Sequence, residues 1–291
     1  MLDLLVVGNL VVDDVVHADG TTQMAQPGGA VLYVALAARL FGLKVGIASR
    51  VGDAYPPSML DALADRGIAV DGIAPMDGPG LRLWLLEEGT RRQLVHRLDG
   101  PSHVEACPVP SELPDAWRRP RAVHLAPMPF AAQEAWVEAM GGSCHLSLDP
   151  FELLRDGELD LWRRLLRRVD LFLFSEDEMS ASDSGAYVDA LAEAGPIVAY
   201  KQGAAGGLLA HAEQRLRWTS LTTEPTGAGP VDATGAGDAF AAGFVAARLK
   251  GKSLRSCAHH GAAVASLAVE GRGPDGLLQA DRDALSRRLA V

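Results

Sequence analysis

The chain has 291 residues and a formal net charge of −10, with 27 Lys and Arg against 37 Asp and Glu. Hydrophobic residues make up 48% of the sequence, which is ample material for a large globular core. The acidic balance argues against nucleic acid as the main partner, because a negative surface repels a phosphate backbone.

The cysteines and the N-terminus bear on the cellular compartment. Cys107, Cys144 and Cys257 are widely spaced and odd in number, which argues against a disulfide framework or a structural zinc site. The N-terminus lacks the basic start of a signal peptide, and no stretch approaches the roughly 20 apolar residues of a membrane helix. We therefore predict a soluble, cytoplasmic protein with no membrane partner.

Apolar strands and helices alternate at the start of the chain. Apolar runs at 4–8 and 44–50 are typical of buried strands, while 30–40 and 58–65 are predicted helices with a glycine close after each. This alternation predicts a parallel sheet with crossover helices.

The pattern then changes to a two-residue period. Residues 81–85 and 92–98 alternate apolar and polar side chains around a turn at 87–90, which predicts a hairpin with one solvated face. A hairpin inserted in an α/β chain suits a lid or a dimer surface. Trp84 and His96 leave both interpretations open.

After a Pro-rich linker the α/β alternation resumes. The predicted strands are 122–125, 145–150, 171–174 and 197–200, the predicted helices are 131–140, 239–249 and 254–269, and an antiparallel pair is predicted at 207–211 and 216–219. Asp13, Asp149 and Glu178 all follow apolar, strand-like runs. Because ligands gather at the carboxyl ends of strands in open α/β sheets, these carboxylates are candidate site residues.

Residues 231–240 carry the strongest chemical signal. Gly235, Ala236 and Gly237 lead directly into an apolar helix, so successive backbone N–H groups can face one anion at the positive end of the helix dipole. Asp238 follows in the first helical turn. A carboxylate at this position fits a general base for an attacking hydroxyl, or simply an acid that is favourable at a helix N-terminus.

Two other phosphate motifs fail on spacing. The tripeptide at 251–253 ends like a Walker A loop, but the first glycine of that motif falls on Ala246 and the tripeptide follows a helix. Gly235 and Gly237 match the first two glycines of a dinucleotide-binding fingerprint, but Phe240 stands where that motif has its third glycine. The sequence therefore gives little support to a nicotinamide-dependent enzyme.

Four segments together resemble a known family. They are Asp232-Ala-Thr-Gly-Ala-Gly-Asp-Ala-Phe240, the stretch from Gly8-Asn9 to Asp13, Pro27-Gly28-Gly29 before a helix, and Arg50-Val51-Gly52-Asp53. They resemble the ribokinase-like, or PfkB-type, carbohydrate kinases over nearly the whole chain. The resemblance implies a single α/β domain at 1–291, a three-layer α/β/α sandwich with a mostly parallel central sheet. It also implies a small β-strand lid, from segments at about 11–27 and 81–100.

The resemblance also implies roles for particular residues. Asp238 is expected to deprotonate the acceptor hydroxyl beside an anion hole made by the amides of Gly235, Ala236 and Gly237. The residues expected to bind the acceptor are Asp13, Gly28 and Gly29, to which we add Tyr33 for its hydroxyl and Trp84 for its place on the predicted lid.

Nucleotide and cations are expected at neighbouring positions. Ser175, Gly203 and Gly206 are expected to contact the nucleotide, and Glu178 is expected to organise Mg²⁺ through water. A further set resembles residues that hold a monovalent cation, such as potassium, near the anion hole: Asp232, Thr234 and Gly273.

Two positions depart from the family pattern. Ser175 stands where the family often has the Asn of an Asn-x-x-Glu segment, although Glu178 keeps the carboxylate. Residues 30–32 are apolar where members that phosphorylate ribose usually place an Asn. This argues against ribose and for a cyclitol, a nucleoside or a modified sugar.

We predict an ATP-dependent kinase that moves the γ-phosphoryl group to a hydroxyl of a small sugar or sugar-like polyol, using Mg²⁺ and also potassium. The alternatives are a nucleoside or inositol kinase, and a kinase-like sensor that binds nucleotide or sugar without turnover. An exposed apolar lid edge also allows a homodimer.

Overall fold

The computed structural model describes residues 1–88, 91–221 and 230–290. In chain order the strands are β1 (Leu4–Val7), β2 (Val11–Val16), β3 (Thr22–Gly28), β4 (Val45–Val51), β5 (Ala69–Pro75), β6 (Arg82–Glu88), β7 (Arg91–His96), β8 (Ala122–Leu125), β9 (His145–Leu148), β10 (Leu171–Ser175), β11 (Ile197–Lys201), β12 (Gly207–His211) and β13 (Gln214–Trp218). The helices are α1 (Ala30–Leu40), α2 (Pro57–Asp65), α3 (Phe130–Met140), α4 (Leu159–Leu166), α5 (Ser184–Ala192), α6 (Ala236–Leu249), α7 (Leu254–Ala268), α8 (Asp275–Gln279) and α9 (Arg282–Leu289).

Within these residues, nine strands form the main sheet in the order β13-β12-β11-β10-β9-β8-β1-β4-β5. All neighbours from β11 to β5 are parallel, and β12 and β13 extend the sheet antiparallel. The predicted mostly parallel sheet and its late antiparallel pair are therefore confirmed. Strands such as β1 are continuously apolar because helices cover both of their faces.

The two faces of the main sheet build two separate cores. Leu4 points into a core that contains Phe244 of α6, and its neighbour Leu5 points into a core that contains Trp162 of α4. All four side chains are fully buried. Successive side chains of a strand alternate between faces, so one short apolar run supplies both cores. The three-layer α/β/α arrangement follows, as expected.

A second sheet of four strands, in the order β3-β2-β6-β7, forms the lid. Its central pair, β2 and β6, is parallel, and each outer strand is antiparallel to its neighbour. The predicted turn at 87–90 differs in part, because β6 continues to Glu88, and residues 89–90 lie outside the described residues.

In the parts of the chain that the structure describes, no helix is both long enough and apolar enough to span a membrane.

Candidate active site

The N-terminus of α6 presents the predicted base. Gly235 precedes the helix with a φ of 74°, in the left-handed region that favours glycine. Asp238 follows in the first helical turn and is half-buried. Burial raises the pKa of Asp238 to about 6, Lys201 acts to lower it, and Glu178 acts to raise it further. A carboxyl with this pKa can accept a proton close to neutral pH.

The carboxyl ends of β9, β10 and β11 bring three further charged groups to the same region. Asp149 directly follows β9, and Lys201 is the last residue of β11. Lys201 Nζ donates a hydrogen bond to Asp149 Oδ2 over 2.6 Å. Glu178 Oε2 accepts a hydrogen bond of 2.5 Å from the Ser175 backbone N–H, which fixes the carboxylate after β10.

The donor set fits Mg²⁺ held through water and phosphate. Among the described residues no group of three or more His, Cys, Asp or Glu could hold a metal ion by itself. Asp149 Oδ1 is buried without a hydrogen-bond partner among them, and Glu178 lies within electrostatic range of Asp149. Glu178 would hold Mg²⁺ through water, and the ion would neutralise phosphate charge when ATP is bound.

A cavity opens between the lid and the segments that precede α6 and α8. Asp13, 7% exposed, reaches it from β2. Gly28 lies so close that a β-carbon there would overlap the Asp13 carboxylate, and one on Gly29 would overlap the Asn9 carbonyl. The two glycines therefore let α1 begin directly against the lid strand. The residues that line the cavity are Asp13, Val15, His17, Gln23, Gln26, Pro27, Tyr33, Met59, Leu85, Asp232, Thr234, Arg272, Gly273, Pro274 and Asp275.

The residues expected to hold a monovalent cation meet at one wall of this cavity. Asp232 Oδ1 accepts hydrogen bonds from the Thr234 N–H at 2.8 Å and from the Thr234 hydroxyl at 2.5 Å. Asp232 Oδ2 accepts one from the Gly273 N–H at 2.9 Å. The Asp232 carboxylate thus joins Thr234, two residues away, to Gly273, 41 residues away.

Tyr33 and Trp84 lie in different environments. Tyr33 is buried and lines the cavity, with its hydroxyl 3.8 Å from where a β-carbon on Gly273 would be. Trp84 lies on the opposite face of the lid from Leu85, which lines the cavity, because neighbouring residues of a strand alternate. The Arg97 guanidinium lies over the Trp84 ring, 5.4 Å from its centroid. The lid's present geometry therefore turns Trp84 away from this cavity.

Two of the predicted nucleotide contacts, Gly203 and Gly206, lie in the turn after β11, and the third, Ser175, ends the neighbouring strand β10. Gly206 has a φ of 87°, and a β-carbon there would overlap the Trp218 carbonyl, so the turn itself requires glycine. Gly203 has a φ of 52° and open surroundings, with Glu176 Oε1 4.0 Å from its β-carbon position. Its exposed backbone leaves room for a ligand.

Sequence reasoning missed Lys201 as a site residue. Its pairing with Asp149 depends on the strand order β9-β10-β11, which brings together residues 52 positions apart. A charged residue at the end of a continuously apolar strand was the available signal. The same signal did identify Asp149 as a candidate.

Comparison with known proteins gives the family. The model for the pfkB family carbohydrate kinases matches residues 2–280. The chain belongs to the PfkB family. As a PfkB kinase it is an ATP-dependent enzyme, and kinases of this family use ATP with Mg²⁺.

Two curated relatives are similar to this PfkB kinase along most of its length. A cytidine kinase from Thermococcus kodakarensis is 27% identical and aligns over 90% of this chain and 94% of its own. A nucleoside kinase from Methanothermobacter thermautotrophicus is also 27% identical and aligns over 93% of this chain and 90% of its own.

Solved structures support the PfkB fold. The Burkholderia thailandensis nucleoside kinase in complex with inosine has a TM-score of 0.79 at 14% identity, covering 98% of this chain and 96% of its own. An E. coli protein described as a ribokinase II, in complex with ATP and Mg²⁺, has a TM-score of 0.76 at 20% identity, covering 100% and 99%.

Proposed function

We propose that this PfkB kinase transfers the γ-phosphoryl group of ATP to a sugar hydroxyl of a nucleoside, with Asp238 as the general base. The observation that carries the catalytic part is the position of Asp238 in the first turn of α6, beside the amides of residues 235–237. Those amides and the helix dipole favour negative charge on the transferred group.

The proposed reaction needs one proton acceptor and one leaving group. The acceptor oxygen forms a bond to the γ-phosphorus while the bond from phosphorus to the β–γ bridging oxygen breaks. The electron pair of that bond leaves with ADP, and the hydroxyl proton passes to Asp238. Because the protein does little covalent chemistry in such a transfer, positioning and charge stabilisation supply the catalysis.

Two observations support a nucleoside acceptor over a free sugar. Two curated relatives, a cytidine kinase and a nucleoside kinase, are 27% identical over 90% and 93% of the chain, whereas a 6-phosphofructokinase that aligns over 91% is 24% identical. The apolar residues 30–32 at the start of α1 also lack the polar side chain that ribose-phosphorylating members usually place there.

An aromatic row leads from Asp13 to an exposed ring. Asp13 of β2 is level with Leu83, and Leu83 is level with His96, so the three side chains share one lid face. The His96 ring is 6.0 Å from His103, which is 4.6 Å from Phe151. Phe151 is 45% exposed and follows Asp149 by two residues. A planar base stacks well on such a ring, while Asp13 binds sugar hydroxyls.

An acceptor panel tests the proposal. Purified protein with Mg-ATP and potassium is assayed for ADP release with cytidine, uridine, adenosine, inosine, ribose, fructose, fructose 6-phosphate and myo-inositol. We expect turnover with at least one nucleoside that exceeds turnover with every free sugar. Turnover with a sugar or inositol alone would overturn the nucleoside assignment. Nucleotide binding without turnover of any acceptor would favour the alternative function, a kinase-like sensor.

Paired variants test the aromatic row. Phe151→Ala removes the exposed ring, and Leu153→Ala removes a side chain that is 40% exposed in the same loop. We expect Phe151→Ala to raise KM for the nucleoside by about tenfold, because stacking on an aromatic ring contributes roughly 1–3 kcal/mol. The Leu153→Ala control should leave KM unchanged.

We also propose that potassium binds near Asp232, Thr234 and Gly273, since their convergence supports a cation beside the anion hole.

A homodimer through the lid stays a prediction. It is favoured by Val95, which lies on the lid face opposite the cavity and is 42% exposed, and light scattering tests it. A cytoplasmic location, where ATP is supplied, agrees with the free cysteines Cys107, Cys144 and Cys257.

A further inference from the structure

One ammonium group lies among the carboxylates of the candidate site. The chain has four lysines, at 44, 201, 250 and 252, and Lys201 is the one at the carboxyl edge of the main sheet. Its side chain is 12% exposed, and that of its partner Asp149 is 2% exposed. Burial acts to lower the pKa of Lys201, but Asp149, Glu178 and Asp238 outweigh it and raise that pKa, so the ammonium stays charged.

Without Lys201, the negative charge of the neighbouring carboxylates would repel the phosphates of ATP. Three carboxylates, from Asp149, Glu178 and Asp238, act on the single ammonium. The γ-phosphoryl group brings further negative charge, which these carboxylates repel. A cation that contacts the phosphoryl group directly would offset this repulsion.

Gly237 lets the ammonium reach the anion hole. A β-carbon on Gly237 would lie 3.3 Å from Lys201 Nζ and 3.9 Å from Cε. Gly237 is the second residue of α6 and does not have a positive φ, so the backbone conformation does not require glycine. Glycine is unfavourable in a helix relative to alanine. Glycine at this position keeps the space between the amides and the Lys201 ammonium open.

We propose that Lys201 binds the γ-phosphoryl group of ATP during transfer, and that Asp149 positions Lys201 for this contact. The ammonium has three N–H donors, and one is used on Asp149 Oδ2. The other donors can turn toward the helix N-terminus, where the phosphoryl group would lie. Lys201 donates hydrogen bonds and transfers no proton. This inference rests on the phosphoryl transfer proposed above.

A purely structural ion pair between β9 and β11 is the competing interpretation, and nucleotide binding separates the two. We compare Lys201→Met with Lys252→Met, which removes an exposed lysine in the turn between α6 and α7. Calorimetry measures the affinity of each variant for ADP and for the non-hydrolysable analogue AMP-PNP. We expect Lys201→Met to weaken AMP-PNP binding at least tenfold while ADP binding changes less than twofold. Equal effects on both nucleotides would overturn the proposal.

Kinetics give the second readout. We expect Lys201→Met to lower kcat by about 100-fold or more, the usual effect of losing one donor to a developing charge. A folded Lys201→Met variant with kcat within threefold of wild type would overturn the proposal. A variant that fails to fold is replaced by Gly237→Ala, which keeps the lysine but crowds its ammonium. We expect Gly237→Ala to lower kcat about tenfold without lowering Tm, and unchanged kcat would overturn the proposal.

A double-mutant cycle tests Asp149 as a positioning residue. Asp149→Asn should lower kcat less than Lys201→Met does, and the double variant should be no slower than Lys201→Met alone, because Asp149 acts through Lys201. Additive losses would remove Asp149 from this role. The comparison of ADP with AMP-PNP needs no acceptor, so its outcome is independent of whether the acceptor has been identified correctly.

Discussion

Gly235 and the ring of Tyr33 share one small space: a β-carbon on Gly235 would overlap Cγ and Cδ1 of the tyrosine. This contact joins α1, which carries Tyr33, to the N-terminus of α6. It places one wall of the cavity, at Tyr33, directly against the proposed anion hole.

We expect Gly235→Ala to lower kcat at least 100-fold and to lower Tm. The left-handed φ of 74° costs about 1–3 kcal/mol for a residue with a β-carbon, and the Tyr33 ring must also move. Gly251→Ala is the matched control, since Gly251 has a φ of 71° and nothing within 4 Å of its β-carbon position. Thermal unfolding and the ADP-release assay should show that both variants lose stability but only Gly235→Ala loses activity.

We expect Asp238→Asn to fold, to bind AMP-PNP and to lose turnover by about 100- to 10,000-fold, the contribution of a general base. Asp283→Asn, which removes an exposed acid from the first turn of α9, should keep most of the activity. Turnover of Asp238→Asn close to that of the wild type would show that another group takes the proton.

Asp238→Asn should also raise Tm at pH 8. Burial raises the folded-state pKa of Asp238 to about 6 from an ordinary value of 3.8, so the folded state binds the proton more tightly than the unfolded state does. Stability is therefore lost as the pH rises through this range, and at pH 8 the buried charge is fully present. The Tm difference between variant and wild type should shrink toward pH 4. A lower Tm for the variant at pH 8 would contradict this sign.

The pH profile of kcat should have an acid limb near pH 6. Protonation of Asp238 removes the base, so kcat should fall about tenfold for each pH unit below that value. Steady-state rates between pH 5 and 9 at saturating substrates measure it. The residual rate of Asp238→Asn should lack this limb, and a wild-type limb near pH 4 would argue against Asp238 as the base.

We expect Asp14→Asn to loosen the lid and to raise KM for the acceptor about tenfold. The Asp14 side chain is 1% exposed, is paired with Arg97, and accepts the Ala25 N–H at 2.8 Å. Removing one partner of a buried ion pair costs roughly 3–5 kcal/mol. Asp99→Asn is the control, because Asp99 forms an ion pair with the same arginine but its side chain is 48% exposed. Hydrogen exchange in β2 and β3 should increase only in Asp14→Asn.

Potassium should raise activity above that in a sodium-only buffer, and Asp232→Asn should abolish the difference. The carboxylate that organises Thr234 and Gly273 would be the group lost. Equal wild-type rates in both buffers would remove the monovalent cation from the mechanism.

The elements that were predictable from sequence are those specified by local pattern. β1 and α1 were identified because their buried runs are continuous, and the anion-hole segment because its residues are adjacent. β5 was missed: it is an edge strand containing Asp71, Gly72 and Pro75, which carry no strand signal.

The remaining differences come from tertiary context. α9 is rich in charge. Its Asp281 cap is a local signal, but the Arg288–Glu270 ion pair that anchors it joins residues 18 positions apart and depends on tertiary structure. The face of Trp84 depends on the register of β6 against β2, where a shift of one residue reverses every side chain. The Lys201–Asp149 pair required the strand order.

The lid's central parallel pair has a consequence for enzyme engineering. β2 and β6 come from two separate excursions of the chain, and they are joined from Val12 opposite Arg82 to Val16 opposite Leu86. A chimera that takes one excursion from a relative with another acceptor would inherit half of this ladder and mismatch the rest. Grafting a new acceptor preference therefore requires both excursions to be exchanged together, as a single non-contiguous cassette.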